Sequence, residues 1–364
     1  MRKALLPFLV ILSLGLNSCK DESAEPAQDS TLYFPPNNSS VWETATIQEL
    51  GWNAAAVPPL LDYLENNNTR AFILLKDGKI VMEHYFGKSA NGTPFTTTSN
   101  WYWASAGKTL TAFMVGKAQE DGLLTIQDKT STYLGNGWSS LSTAQEDKIT
   151  LRHQLTMTTG LNDGVPDNHC SDPGCLTYLA PAGTRWAYHN GPYNLLTDVV
   201  AAAAGKTFNS YFDSQLKNKT GMDGSWTTIG NDYVYISTAR SMARFGLLML
   251  NKGKWGTTTV LNDQAYITAM LSPSQNLNQS YGYLWWLNGK ASYMLPTLQR
   301  TFSGSIAPDA PTDMVAAIGK NGQLINIVPS QNLVLIRMGE NPDNADVSLE
   351  FQNELWKKIN PIIQ

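Results

Sequence analysis

The chain has 364 residues, 42% of them hydrophobic and only 15% charged, a length that suits one large domain or two intimately packed ones. A net charge of -4 with no dense basic run excludes nucleic acid as a partner. Eleven Trp, 15 Tyr and 11 Phe spread along the chain exclude intrinsic disorder for most of it.

Arg2 and Lys3 precede an apolar run from Ala4 to Leu16, too short for a bilayer core of about 30 Å, which takes ~20 residues. Residues 1–19 therefore read as an export signal. The run closes on Leu16-Asn17-Ser18-Cys19, which resembles the lipobox of bacterial lipoproteins, with Cys19 as the lipidated residue. The competing reading is an ordinary secretory signal with an incidental cysteine; both place the mature protein outside the cytoplasm. Residues 20–40, opening with Lys20-Asp21-Glu22 and rich in Ser, Pro, Asn and Ala, match the composition of a tether. A Lys-acidic-acidic run after the Cys resembles that of some lipoproteins exported to the outer face of the outer membrane. A lipid on Cys19 would be the only link to a membrane. The folded region is then 41–364.

Val57, Leu60, Leu61 and Leu64 share one helical face and predict a helix over 54–66, with Pro58 and Pro59 confined to its first turn. Residues 71–86 predict a hairpin, because Asp77-Gly78 supplies a tight turn between β-branched and aromatic runs. From Ser105 the spacing of Leu110, Phe113, Met114 and Ala118 predicts a helix ending at Asp121-Gly122, with Ser105 at its N-terminus. Between about 123 and 280, helical patterns (Leu195–Ala204 and Thr238–Leu250 among them) alternate with Gly, Pro and Asn-rich loops. Strand patterns return at 283–287, 314–318, 323–328 and 333–338, and a last helix is predicted over 347–359. Strands at both ends predict an α/β (α+β) fold: one antiparallel sheet built from about 41–122 and 281–364, flanked by helices, with a mainly helical insertion at about 123–280.

Cys170 and Cys175 are separated by Ser-Asp-Pro-Gly, a turn-forming insert, and outside the cytoplasm a local disulfide is the expectation. A metal site using His169 and Cys170 lacks a fourth ligand at zinc-like spacing, so no metal is expected.

The candidate nucleophile is Ser105 in Ser105-Ala106-Gly107-Lys108. Three residues on a helix put Lys108 on the same face one turn along, where its amine can hydrogen-bond and activate the hydroxyl. The helix N-terminus adds N–H groups where an oxyanion develops. Ser214-Gln215-Leu216-Lys217 has the same pattern but no Tyr-x-Asn after it, whereas Ser105 is followed by Tyr188-His189-Asn190. Gly107-Lys108-Thr109 ends like a P-loop without the earlier glycine, and no G-x-S-x-G elbow supports a Ser-His-Asp triad on one of the four histidines. Trp101-Tyr102-Trp103 and Trp285-Trp286 read as core, with a cleft wall as the sharper alternative.

With Tyr188-His189-Asn190 the sequence resembles the serine β-lactamase and penicillin-binding-protein family, in its class C, esterase and 6-aminohexanoate-dimer-hydrolase branches, over residues 45 to 345. His153 to Leu161 resembles the family's L-L-x-H-T-S-G-L segment, with Met157 where His is common, and Ser237 to Gly246 resembles its S-T-A-x-D-M-A-R-F-G helix. The resemblance implies Ser105 as acylated nucleophile, Lys108 as activating base or cation, and Tyr188 as proton shuttle. It further implies Asn190 bound to Lys108 or to the substrate carbonyl, and an oxyanion hole from the backbone N–H groups of Ser105 and of Lys320, just after Gly319. The family's K-T-G or H-T-G is replaced by Ala317-Ile318-Gly319. Loss of the cation and hydroxyl argues against a β-lactam or D-Ala-D-Ala substrate. The expectation is a serine hydrolase acting on a small ester or amide without a cofactor. The alternatives are a β-lactamase or D-Ala-D-Ala carboxypeptidase, and a non-catalytic lipoprotein that binds cell-wall peptide.

Overall fold

Helix α1 (Val57–Asn66) begins at the two prolines and buries Leu60 and Leu64. It leads into a hairpin, β1 (Thr69–Lys76) and β2 (Lys79–Tyr85), whose turn residues Asp77 and Gly78 have φ of 51° and 82°. The computed structural model describes residue 1 and residues 32–363; the export signal at 1–19, Cys19 and residues 20–31 lie outside the described residues. Residues Leu32–Gln364 form one unit by their contacts.

A short strand, β3 (Trp101–Tyr102), precedes the buried helix α2 (Lys108–Glu120), and α3 (Asn190–Ala204) packs against α2. Strands β4 (Ser225–Ile229) and β5 (Asp232–Ser237) form a hairpin that pairs with β3, and α4 (Ala239–Leu250) follows. The remaining strands are β6 (Trp286–Leu287), β7 (Val315–Gly319), β8 (Gln323–Val328) and β9 (Leu333–Gly339), before the last helix α5 (Leu349–Ile363).

The main sheet has the order β2-β1-β9-β8-β7-β6, every neighbouring pair antiparallel, so the two ends of the chain do build one sheet. Successive side chains of β8 and β9 point to opposite faces. Ile325, Val334 and Ile336 meet α4 at Gly246, where any Cβ would collide with Val334. On the other face Asn326 accepts from Trp356 of α5 at 3.0 Å and the Arg337 guanidinium lies 4.9 Å from the Phe351 ring centroid. Helix α1 stacks Tyr63 on the same Phe351. Burial on both faces is why β9 is entirely buried.

The insertion at about 123–280 also carries a hairpin that its sequence pattern did not show: β4 and β5 form a sheet with β3, and α4 belongs to the main sheet's cover. Three expectations need correction. The strand expected at 283–287 is reduced to β6, because Leu284 has φ of 61° and turns the chain out of extended geometry. Ser105 does not start an α-helix directly; it sits in a 3-10 turn, Ala104–Gly107, that runs into α2. Residues 32–40 are not a free tether: Tyr33 N–H donates to Asp77 O at 2.9 Å, Phe34 packs edge-on to Trp255, and Pro35 is buried.

Candidate active site

Trp103 is the anchor that sets Ser105 in place. Its ring is fully buried, its backbone N–H donates to Tyr235 O at 2.9 Å and its indole N–H to Ser237 Oγ at 2.7 Å. The next residue, Ala104, has φ of 48°, a left-handed conformation that a residue with a Cβ adopts only under constraint. The chain then enters the 3-10 turn. Because such a turn has about three residues per revolution, residues i and i+3 eclipse, and Ser105 and Lys108 stand in line.

Lys108 is 5% exposed. Burial pushes its amine down to about 7, with the nearby Asp232 carboxylate opposing the shift. The amine rests 3.7 Å from the centroid of the Tyr193 ring on α3 and 5.6 Å from that of the Tyr188 ring, while Ser105 and Tyr188 wall the same cavity. The expected direct Ser105–Lys108 bond is thus absent from this arrangement, and the amine is held on an aromatic face instead. Burial raises the Tyr188 phenol well above its ordinary range, the neighbouring Ser105 hydroxyl opposing this, so Tyr188 is a neutral hydroxyl.

Tyr188 is delivered by the 156–160 segment: Gly183 N–H donates to Thr158 O at 2.7 Å and Ala187 N–H to Met157 O at 2.9 Å, with Met157 at φ of 57°. Its ring stacks on Trp286, 6.3 Å between centroids and 18° between planes. Middle residue His189 points away; it is buried, and burial lowers its imidazole to about 4.

The edge of the site is β7. A Cβ on Gly319 would collide with Trp103 O and with Ala106 N, so the strand lies directly against the Ser105 turn and only glycine permits it. Lys320 follows. Ser105, Tyr188, Asn190 and Lys320 wall a cavity of about 220 Å³ together with Ile318 and Trp286. Trp286 is therefore both core and cleft wall, whereas Trp103 and Trp285 are core alone.

Asn190, the first residue of α3, departs from expectation. Among the described residues its amide bonds not to Lys108 but to Asn168 Oδ1 at 3.4 Å and His169 Nε2 at 3.2 Å, because His169 presents an acceptor to it. His169 in turn lies against Asp232, the first residue of β5. Cys170 and Cys175 are disulfide-bonded, with Cα atoms 5.9 Å apart, at the end of the loop that carries Asn168 and His169. Sequence reasoning considered His169 as a metal ligand and as one of four histidines for a Ser-His-Asp triad, and passed over Asp232, since nothing in a 63-residue separation signals that they meet. Among the described residues no cluster of His, Cys, Asp and Glu could hold a metal ion. The second Ser-x-x-Lys is structural: Ser214 Oγ donates to Tyr211 O at 3.0 Å and Lys217 pairs with Asp213 at 2.7 Å.

A serine hydroxyl shared by two adjoining cavities, with a buried amine lowered to about 7 on one, a neutral phenol on the other and closely apposed backbone, can carry out acyl transfer. The family model described as Beta-lactamase matches residues 68–350. Penicillin-binding protein 4* of Bacillus subtilis (strain 168) is 26% identical over 165 residues, 40% of this chain and 35% of that protein. The match thus spans about a third of that relative's length. A Bacillus anthracis structure described provisionally as a 6-aminohexanoate-dimer hydrolase is similar with a TM-score of 0.69 at 18% identity, covering 90% of this chain and 89% of that one. A penicillin-binding protein from Bacillus halodurans gives 0.61 at 16% identity, covering 83% and 99%. At these identities the solved structures share the fold.

Proposed function

This chain belongs to the beta-lactamase family, and from that premise we propose that it is a serine hydrolase cleaving a small ester or amide through an acyl-enzyme on Ser105. The observation that carries the reading is the buried Lys108 amine, lowered to about 7 and one turn from Ser105, with Tyr188 beside Ser105 on the same cavity wall. Ser105 Oγ attacks the carbonyl carbon, and its proton passes through the Tyr188 hydroxyl to the Lys108 amine. Tyr188, held protonated by burial, is the relay and Lys108 the base. The backbone N–H groups of Ser105 and Lys320 take the oxyanion. The proton then returns through Tyr188 to the leaving alkoxide or amine, and water repeats the cycle on the acyl-enzyme.

Ile318 puts an apolar side chain on the cavity wall where the family's motif has a hydroxyl, which favours a carboxylesterase or an amidase of the 6-aminohexanoate-dimer-hydrolase kind over a β-lactamase or D-Ala-D-Ala carboxypeptidase. Export with a lipid on Cys19 belongs to the same proposal; the Cys170–Cys175 disulfide supports an oxidising compartment.

The test is incubation of the mature protein with p-nitrophenyl acetate and with a fluorophosphonate, followed by mass analysis of the active-site peptide. An adduct on Ser105 and a burst of nitrophenol are expected, and Ser105→Ala should lower turnover by about 10⁴-fold or more without unfolding the chain. No adduct and no turnover from a folded wild type would favour the non-catalytic binding protein instead.

A further inference from the structure

The three-stranded sheet β3-β5-β4 beside Ser105 has two unlike faces. Cross-strand partners share a face and successive residues alternate, so the register puts Trp226, Tyr233 and Tyr235 on one side and Tyr102, Ile229, Asp232, Val234 and Ile236 on the other. The first side is core. Trp226 stacks on Tyr233, and Phe212 packs on Trp226 and Tyr235 with ring centroids 5.7 and 5.0 Å away. The second side is partly open: Tyr102, Val234 and Ile236 are only partly buried, and Ile229 is 52% exposed. A sheet side that meets water ordinarily carries polar residues, yet Asp232 is the one charged group of these five.

The open side ends at the nucleophile. Tyr102, Ile229 and Val234 wall a recess of about 160 Å³ that adjoins the main cavity and reaches Ser105. The polar groups on this recess are engaged: the Asp232 carboxylate accepts from Asn194 Nδ2 at 3.3 Å and lies 2.7 Å from His169 Nδ1, and the Lys108 amine rests on the Tyr193 ring. The Tyr102 hydroxyl accepts from Asn321 Nδ2 at 2.7 Å, which fixes its ring. Lys320 stands exposed at the border of both spaces. Tyr188 borders the main cavity and is absent from the recess. A leaving group that takes its proton from Tyr188 therefore occupies the main cavity, and at the tetrahedral carbon on Ser105 the acyl chain points away from it, into the recess.

We propose that the recess is an acyl-chain subsite in which Ile229 and Val234 determine specificity, selecting esters or amides of apolar acids of several carbons over acetyl or polar acyl groups. The proposal rests on Ser105 being the acylated nucleophile.

The test uses p-nitrophenyl acetate and p-nitrophenyl butyrate, which share a leaving group and differ by two methylenes, with Ser105→Ala subtracting background hydrolysis. Wild type should favour the butyrate about tenfold in kcat/KM, the gain expected when both methylenes are buried in part. Val234→Thr, which keeps the shape and adds a hydroxyl, should cut the preference to about threefold or less. Ile229→Ser, at a half-exposed position on an edge strand where the fold is not at stake, should do the same, and Ile229→Leu should retain the preference. Ile318→Thr, on the wall of the main cavity alone, should leave the butyrate-to-acetate ratio where it is in wild type. If wild type is acylated on Ser105 but treats the two esters alike, or if the preference survives both Val234→Thr and Ile229→Ser, the subsite is wrong. Collapse of the ratio in Ile318→Thr would put the acyl chain in the main cavity and overturn the proposal as well. If neither ester acylates Ser105 in wild type, the hydrolase reading itself falls.

Discussion

Lys108 is the residue on which activity and stability pull in opposite directions. Its folded amine titrates near 7 because burial penalises the charge, against 10.5 when solvated. Below pH about 7 the folded and unfolded chains both carry the ammonium, and folding bears the full cost of burying it. Between about 7 and 10.5 only the unfolded chain holds the proton, so stability on this account rises with pH across that window. Lys108→Met removes the charge at similar volume. The variant should melt at a higher temperature than wild type below pH 7, and the advantage should shrink steadily toward pH 10; equal melting curves at all pH values would mean the amine is not desolvated. Activity follows the same proton. The kcat/KM of wild type should rise through pH 7 as the amine becomes a base, and Lys108→Met should lose about 10²–10⁴-fold along with that limb.

The contact between β7 and the Ser105 turn decides whether the oxyanion hole is closed. Gly319→Ala would place a methyl group against Trp103 O and Ala106 N, backbone atoms that cannot swing aside, so the strand or the turn must shift. The expected result is a fall in kcat of about 10²-fold, the loss associated with one misplaced oxyanion donor, while binding of a neutral product analogue changes little. A wild-type rate would show that the two elements are not in this contact. Gly319 was legible in the sequence because a glycine survived where the flanking motif did not, and β8 was legible to the residue because Leu324, Ile325, Ile327 and Val328 stand between the breakers Gly322 and Pro329. Asn190 was legible as a motif letter but not in what its amide does, since its partners Asn168 and His169 stand just before the Cys170–Cys175 disulfide, and Asp232, which holds His169, opens β5. The hairpin itself hid behind Gly230-Asn231-Asp232, which reads as loop until Trp226 and Tyr235 are seen buried on the strands either side of it.

The misread stretch 32–40 shows how a segment of tether-like composition can be part of the fold. Its backbone carbonyls meet Arg244, which lies on α4 within the family-like Ser237–Gly246 stretch: Arg244 Nη1 donates to Pro35 O at 3.4 Å and Thr220 O at 2.8 Å, and Nη2 to Pro36 O at 2.9 Å and Ser39 O at 3.4 Å. The guanidinium is 6% exposed and burial lowers it to about 10. It is also flanked by Trp42 and Trp255, each 5.4 Å from ring centroid to guanidinium carbon. Composition could not show this, because the acceptors are main-chain atoms that any residue supplies and the donor is some 200 positions away. A chain beginning at residue 41 would leave Arg244 only the Thr220 carbonyl. It should be less stable than one beginning at Leu32 by roughly 3 kcal/mol, the scale of two or three bonds to a charged donor partly replaced by water. Neither recess at Ser105 is walled by residues 32–40, so kcat/KM per folded molecule should be unchanged. The causal claim is that the loss runs through Arg244. Arg244→Met in the longer chain should be destabilised to a comparable degree, and in the shorter chain the same substitution should cost little more, since the carbonyls it served are already gone. Additive losses measured by denaturant unfolding would show that the segment is held by Phe34 and Tyr33 instead.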